Sequence, residues 1–215
     1  MKLSNWTKIF LLLGLLIQLI TYLMSSSSLL SLVSGMLGVC SVVFGASGNI
    51  MSFVFGFAQI GTYTYLCIEE RLYAEVAMNV FYYLTMVGGV YVWRSRLKED
   101  ESMEVTTRSM SLKNLVWISL VTAVISIVVG WLLARYTNDS QPYLDAVTTV
   151  PALVAQVLMV LVYREQWYLW MVVDVLAVVM WWRAGDYCMA TQYAFWCANC
   201  VYGYVHWTKL MTPNS

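Results

Sequence analysis

Charged residues are scarce in this chain. Only 11% of its 215 residues are charged and 60% are hydrophobic, whereas an average soluble domain carries about 25% charged residues. The formal net charge is zero and the sequence has no basic cluster, which argues against nucleic-acid binding. The sequence also has no long polar stretch that could fold as a separate soluble domain. The composition therefore predicts an integral membrane protein.

The sequence also lacks the motifs of several catalytic classes. It contains no G-x-x-x-x-G-K-[ST] phosphate loop, no H-E-x-x-H or G-x-S-x-G motif and no arginine-rich voltage-sensing helix. One histidine and a single C-x-x-C pair, Cys197 and Cys200, are too few ligands to favour a metal site. We therefore expect neither an enzyme nor a cofactor, and we interpret the five cysteines as packing residues.

Eight apolar runs are long enough to cross a bilayer, which requires about 20 residues. They cover residues 9–24, 29–46, 49–68, 73–93, 114–135, 144–163, 167–182 and 188–207. The first run follows two lysines, as in a signal peptide, but no A-x-A-like cleavage site comes after it, so we expect an uncleaved helix. The predicted fold is an all-α integral membrane protein with eight transmembrane helices.

Lysine and arginine lie mainly on one side of this predicted topology. With the N-terminus inside, the basic residues that face the cytoplasm are Lys2, Lys8, Arg94, Arg96, Lys98, Arg108, Lys113, Arg164 and Lys209. Only Arg71, Arg135 and Arg183 then face outward. Because basic loops favour the cytoplasm, the sequence predicts that both termini are cytoplasmic.

The fourth and eighth runs resemble each other. A shift of 114 positions places Tyr73 on Tyr187, Phe81 on Phe195, Gly89 on Gly203 and Trp93 on Trp207. Runs two to four and six to eight also cross in the same sense, which indicates two parallel three-helix repeats. The expected segments are an extra helix (1–27), the first repeat (28–97), a cytoplasmic loop (98–113), a linking helix (114–137) and the second repeat (138–210). Transporters built from repeats bind substrate near the midplane between them.

Polar and aromatic side chains recur at mid-depth in the repeat helices. An unpaired polar group in hydrocarbon is unfavourable, so each requires a partner or a function. Helical spacing places Trp170 and Asp174 on one stripe and Gln192, Trp196 and Asn199 on another. Rings can stack on a flat heterocycle, amides can bind amide or hydroxyl groups, and a carboxylate favours a cation. Alternatively, the amides only join neighbouring helices and the tryptophans form interfacial belts.

Short motifs recur in both halves of the chain. Those of the first half are Gly56-Phe-Ala-Gln59 and Asn79-Val-Phe-Tyr-Tyr83, with Gly89 and Trp93. Those of the second half are Gln141-Pro-Tyr-Leu-Asp145, Thr148-Thr149, Gln156, Trp167-x-x-Trp170 and Val173-Asp174. In combination, rather than singly, these motifs resemble those of the PnuC family of nicotinamide riboside transporters.

The resemblance implies a three-plus-one-plus-three arrangement, related to full-length SWEET sugar transporters, in a homotrimer of the bacterial inner membrane. It also implies uptake of nicotinamide riboside by facilitated diffusion, with trapping by a separate cytosolic kinase. The substrate-binding residues that it implies are Gln59, Asn79, Tyr83, Gln156, Trp170, Asp174, Trp196 and Asn199. Similar carriers take thiamine, riboflavin or deoxynucleosides, so these substrates remain alternatives, as does an ion-coupled symporter.

Overall fold

The computed structural model of the protein describes residues 3–24, 28–71, 73–99, 102–138, 141–183 and 185–211. Within these ranges the regular structure is helical, apart from isolated backbone bridges. The eight helices are α1 (Asn5–Met24), α2 (Leu29–Ala46), α3 (Met51–Glu69), α4 (Tyr73–Arg94), α5 (Leu112–Tyr136), α6 (Pro142–Val160), α7 (Gln166–Arg183) and α8 (Tyr187–Lys209). The all-α prediction with eight helices is confirmed. Lys2, used above for the orientation, and the serines at 25–27 that follow the first run lie outside the described residues.

Helix ends follow local chemistry that hydropathy does not detect. α2 begins where the Ser28 hydroxyl accepts a hydrogen bond from the Ser31 amide at 3.1 Å. α6 ends at Val160, short of the predicted end at residue 163, because Val162 has a positive φ of 57° that a right-handed helix cannot contain. The existence of each helix was therefore easier to predict than its ends.

Six of the described helices, α1 to α6, are long and apolar enough to cross a membrane. α7 and α8 are less apolar because they carry polar side chains such as Asp174, Gln192 and Asn199. Asp174 and Asn199 are buried within the bundle. These two polar side chains therefore face the interior of the bundle, as expected for helices that line a polar site.

Six helices form a closed ring. The helices in contact are, in order, α2, α3, α4, α6, α7, α8 and again α2. α1 packs outside this ring against α2 and α8, and α5 packs only against α6 among the described helices. The two halves of the ring therefore meet at two junctions, α4 with α6 and α2 with α8.

The two halves of the ring are repeats of each other. Under the 114-position shift, the end of α3 falls on the end of α7, and the start of α4 falls on the start of α8. The shift also pairs four of the five described positions of positive φ, Gly48 with Val162 and Arg71 with Gly185. Positive φ is uncommon outside glycine, so this agreement is independent of hydropathy. The predicted pair of parallel three-helix repeats is confirmed.

Two tryptophans, which we call the tryptophan pair, close one end of the ring. Trp93 in α4 donates from Nε1 to the Met159 carbonyl at 3.2 Å, and Trp207 in α8 donates to the Gly45 carbonyl at 2.9 Å. The 114-position shift exchanges these two bonds, since it places Trp93 on Trp207 and Gly45 on Met159. The two indoles are fully buried, with ring centroids 5.7 Å apart. Each repeat thus bonds the other through equivalent groups.

Beside the tryptophan pair, each repeat packs an aromatic ring against a glycine. A Cβ atom at Gly89 would lie 2.8 Å from the Phe53 ring, and one at Gly203 would lie 2.6 Å from the Trp167 ring. Both distances are too short for a side chain larger than hydrogen. The glycine match found in the sequence repeat therefore has a packing reason.

The connection between α4 and α5 covers the same end of the ring. Its residues 102–108, which we call the strap, form backbone hydrogen bonds to both repeats. The Val105 amide donates to the Gly48 carbonyl at 2.9 Å, and the Arg108 amide donates to the Val162 carbonyl at 3.1 Å. Gly48 and Val162 are equivalent under the 114-position shift. We call this end of the ring the strap end and the opposite one the open end.

Glu104 attaches the strap to α8. Its carboxylate lies 3.5 Å from Nε2 of His206 and 3.0 Å from Nζ of Lys98. These two groups, His206 first, hold the pKa of the Glu104 carboxyl below its ordinary value, against the opposing effect of partial burial. A carboxyl with a lowered pKa adds stability above its unfolded-state pKa of about 4.3. This contribution is lost as the pH falls through the lower folded-state value.

We expect Glu104→Gln to lower the unfolding temperature at neutral pH, because the amide cannot pair with His206 and Lys98 as a charge. The difference from the unaltered protein should shrink as the pH falls through the folded-state pKa of Glu104. Thermal unfolding in detergent at a series of pH values measures this difference. Glu99→Gln, at an exposed residue, is the control. A difference that stays constant down to strongly acidic pH would contradict the assignment.

Candidate substrate-binding site

A cavity of about 810 Å³ opens at the open end of the ring. Its walls come from α1, α2, α3 and α8, and its mouth carries Ser28, Glu69 and Glu70. Small-molecule sites usually have volumes of about 300–1,000 Å³. The cavity therefore has room for one small ligand at the α2–α8 junction between the two repeats.

The lining of the cavity is largely polar and aromatic. Gln18, Gln59 and Gln192 reach it from three different helices, together with Tyr63 and Trp196. Each amide can donate and accept hydrogen bonds, and the ring faces can stack on a flat heterocycle. Its charged groups are the two mouth glutamates, and the described residues that line it include no lysine or arginine. This chemistry suits a flat, hydrogen-bonding, cationic ligand.

Two of the eight predicted residues, Gln59 and Trp196, line the cavity. Asn199 lies on the stripe of Trp196, one helical turn closer to the strap end. Its side chain is fully buried, and neither amide atom has a hydrogen-bond partner among the described residues. A buried amide without a partner is unfavourable, which fits a residue that binds a ligand. The structure thus brings these three predicted residues into one region.

Asp174 is buried in α7, where it contacts α8. Its carboxylate accepts a hydrogen bond from the Cys200 thiol at 3.3 Å. Among the described residues, no lysine or arginine forms an ion pair with it. A buried carboxylate without a positive partner favours the approach of a cation. Acidic groups are therefore found both at the mouth of the cavity and in the interior of the ring.

The other four predicted residues also lie outside the cavity lining. Gln156 donates from Nε2 to the Thr85 hydroxyl at 3.4 Å and so joins α6 to α4. Asn79 is buried in α4, and its Nδ2 has no partner among the described residues. Trp170 packs against the buried core, and Tyr83 is 49% exposed. Contact of these four residues with substrate stays a prediction.

Of the five amide and aromatic residues that line the cavity, three were absent from the predicted substrate-binding set: Gln18, Tyr63 and Gln192. Gln192 was on the predicted stripe with Trp196 and Asn199, and Tyr63 lies one helical turn from Gln59, so helical spacing could have added both to the set. Gln18 is the single amide in the apolar run 9–24. Because an amide in hydrocarbon is unfavourable without a partner, its presence in this run could have identified Gln18 as a candidate.

Comparisons with known proteins identify a matching family model and similar relatives. The family model described as nicotinamide mononucleotide transporter matches residues 28–209. The nicotinamide riboside transporter PnuC of Neisseria mucosa is 33% identical over 228 residues, which cover 99% of this chain and 85% of that protein. The nicotinamide riboside transporter PnuC of Haemophilus influenzae is 29% identical over 97% of this chain and 93% of its own length.

A solved structure is similar over the whole chain. It is described as the crystal structure of the vitamin B3 transporter PnuC, and it superposes with a TM-score of 0.81 at 30% identity, covering 100% of this chain and 95% of that one. These relatives are named as transporters, so the expectation of a membrane transporter rather than an enzyme is confirmed. On the family-model match and the 33% identity over nearly its full length, the chain belongs to the PnuC family of membrane transporters.

Proposed function

We propose that this chain carries nicotinamide riboside across a bacterial inner membrane. The observation that carries the proposal is the cavity with its amide and aromatic lining and its acidic mouth. The ligand's pyridine ring is flat and cationic and bears a carboxamide, and its ribose bears hydroxyls. Rings, amides and carboxylates in the protein match these groups. Relatives named for this substrate share 33% and 29% identity with the chain.

The matching family model is described by the mononucleotide, but the negative charge around the cavity favours the riboside as the substrate. The riboside is a monocation, whereas the phosphate of the mononucleotide makes that molecule an anion. The charged groups at the cavity mouth are Glu69 and Glu70, and Asp174 lies deeper in the ring. A field of this sign attracts a cation and repels a phosphate. The mononucleotide is therefore expected to compete poorly.

We infer that the strap end faces the cytoplasm. The arginines and lysines of the α4–α5 connection lie at this end, and basic loops favour the cytoplasmic side. α1 begins there, where Thr7 bonds Ser47, and α8 ends there. Both termini are then cytoplasmic, and the cavity opens to the outside.

Transport follows from exchange between two arrangements of the repeats. In carriers of this kind the repeats rock around a central site. Opening toward the cytoplasm requires the tryptophan pair and the strap to separate while the open end closes. We propose uniport by facilitated diffusion, trapping of the riboside by a separate cytosolic kinase, and assembly as a homotrimer.

Uptake into liposomes tests the proposal. Purified protein should equilibrate labelled nicotinamide riboside without ATP or an ion gradient, and unlabelled riboside should compete far better than the mononucleotide. Thiamine, riboflavin and deoxynucleosides are the comparison ligands. Accumulation above the outside concentration in a proton or sodium gradient would instead support a symporter. Equal competition by the mononucleotide would contradict the charge argument.

A further inference from the structure

α1 lies outside residues 28–209 that match the family model, yet one of its faces packs closely against the ring. Thr7, Phe10, Gly14 and Gln18 are spaced by three, four and four residues, so they share one helical stripe. The stripe lies along the α2–α8 junction, where the two repeats meet. α1 therefore covers one of the two joints in the ring.

Specific contacts hold this stripe in place at the strap end. The Thr7 hydroxyl lies within hydrogen-bond distance of the Ser47 hydroxyl at 2.9 Å and of the Tyr202 hydroxyl at 3.0 Å. Phe10 stacks on the Tyr202 ring with centroids 5.2 Å apart. A Cβ atom at Gly14 would overlap Val39 of α2. α1 is thus bonded to one helix from each repeat, which fixes the direction of the rest of its stripe.

Gln18 ends the stripe at the cavity. Its side chain lies directly over Gly35 of α2, since a Cβ atom at that glycine would overlap the Gln18 carboxamide. Gln18 lines the same cavity as Gln59 and Gln192. The lining therefore includes an amide from the extra helix beside amides from the first and second repeats.

We infer that Gln18 is a substrate-contacting residue that helps to determine specificity. Its carboxamide is placed to donate to or accept from a carboxamide or ribose hydroxyl of the ligand. The inference rests on the proposed function for the identity of the ligand. It adds that the binding site extends to a helix outside the two repeats.

Calorimetric titration of the purified protein with nicotinamide riboside tests this inference. Gln18→Ala should weaken binding roughly three- to tenfold, the effect of one lost hydrogen bond. Gln18→Leu keeps the side-chain volume and should weaken binding to the same extent. Leu16→Ala, at a residue 44% exposed on α1, is the matched control and should leave the affinity unchanged. The unfolding temperature without ligand should not change for Gln18→Leu.

The outcomes separate this inference from the proposed function. If the unaltered protein binds the riboside and both Gln18 variants bind it equally well, the inference is wrong and the proposed function stands. If the unaltered protein does not bind the riboside, both fail. If Leu16→Ala weakens binding as much as Gln18→Leu, the effect is one of helix packing, and the inference is again wrong. Gly35→Ala, which displaces Gln18, should reproduce the loss of affinity.

Discussion

Trp207→Ala is expected to lower the free energy of unfolding by about 3–5 kcal/mol, as large truncations of buried aromatic residues do. Trp207 is fully buried, and its ring centroid lies 5.7 Å from that of Trp93 and 5.8 Å from that of Trp167. Alanine would leave a cavity between these rings. It would also remove the 2.9 Å hydrogen bond from the indole to the Gly45 carbonyl, which keeps its bond from the Gly48 amide.

Denaturant unfolding of the detergent-solubilised protein measures the loss. Trp182→Ala is the matched control, because Trp182 is 63% exposed and surface substitutions usually change stability by about 0.5 kcal/mol or less. Trp207→Phe keeps a ring but removes the donor and should cost about 0.5–1.5 kcal/mol. A similar loss for Trp182→Ala and Trp207→Ala would show that the tryptophan pair has no special role.

The symmetry of the tryptophan pair adds a further expectation. Trp93→Ala should destabilise the protein about as much as Trp207→Ala, because the two indoles make equivalent bonds. The two losses should not add in the double variant, since the rings are in contact. Fully additive losses would mean that the two rings act independently.

Asp174→Asn is expected to change binding and stability in opposite directions. Affinity for nicotinamide riboside should fall roughly ten- to a hundredfold, the range for one lost interaction with a charged group. Stability without ligand should stay the same or rise, because Asp174 is buried and, within the described part of the chain, its side chain accepts a hydrogen bond only from the Cys200 thiol. Removing an uncompensated buried charge relieves its desolvation.

Two comparisons make the Asp174 test specific. Asp145→Asn, at an exposed residue of α6, should leave the affinity unchanged. The reduced riboside, whose dihydropyridine ring is neutral, should lose little affinity on Asp174→Asn. Calorimetry with both ligands measures the contrast. Equal losses for the cationic and the neutral riboside would show that Asp174 does not act through the positive charge of the ligand.

The helices and their repeat could be predicted because a membrane allows few backbone conformations. Apolar runs of the required length have to be helical, and the run 29–46 agrees with α2 at both ends. The predicted end of α6 was wrong because hydropathy does not detect the turn at Val162, an apolar residue with positive φ. The match of Trp93 with Trp207 was visible in the sequence, but the exchange of their hydrogen bonds was not.

The site was predicted less completely than the fold. Helical spacing groups Trp196 with Asn199 correctly, because both lie on one face of α8. It does not show which faces of different helices meet. Tyr83, which the resemblance placed in the substrate-binding set, is half exposed. Gln18 was not included in the predicted substrate-binding set, because the repeat pattern placed its helix outside the two repeats. The strap was expected only as a loop, because its bonds join residues far apart in the sequence.

The strap has a consequence for how the two repeats can separate at the strap end. One short peptide holds the Gly48 and Val162 carbonyls, which occupy matching places in the two halves. If either half turns away, the strap loses the anchor that positions it for the other half. We therefore expect separation on that side to be cooperative, so that weakening either anchor loosens both. The two similar halves would then share one closed state instead of opening independently.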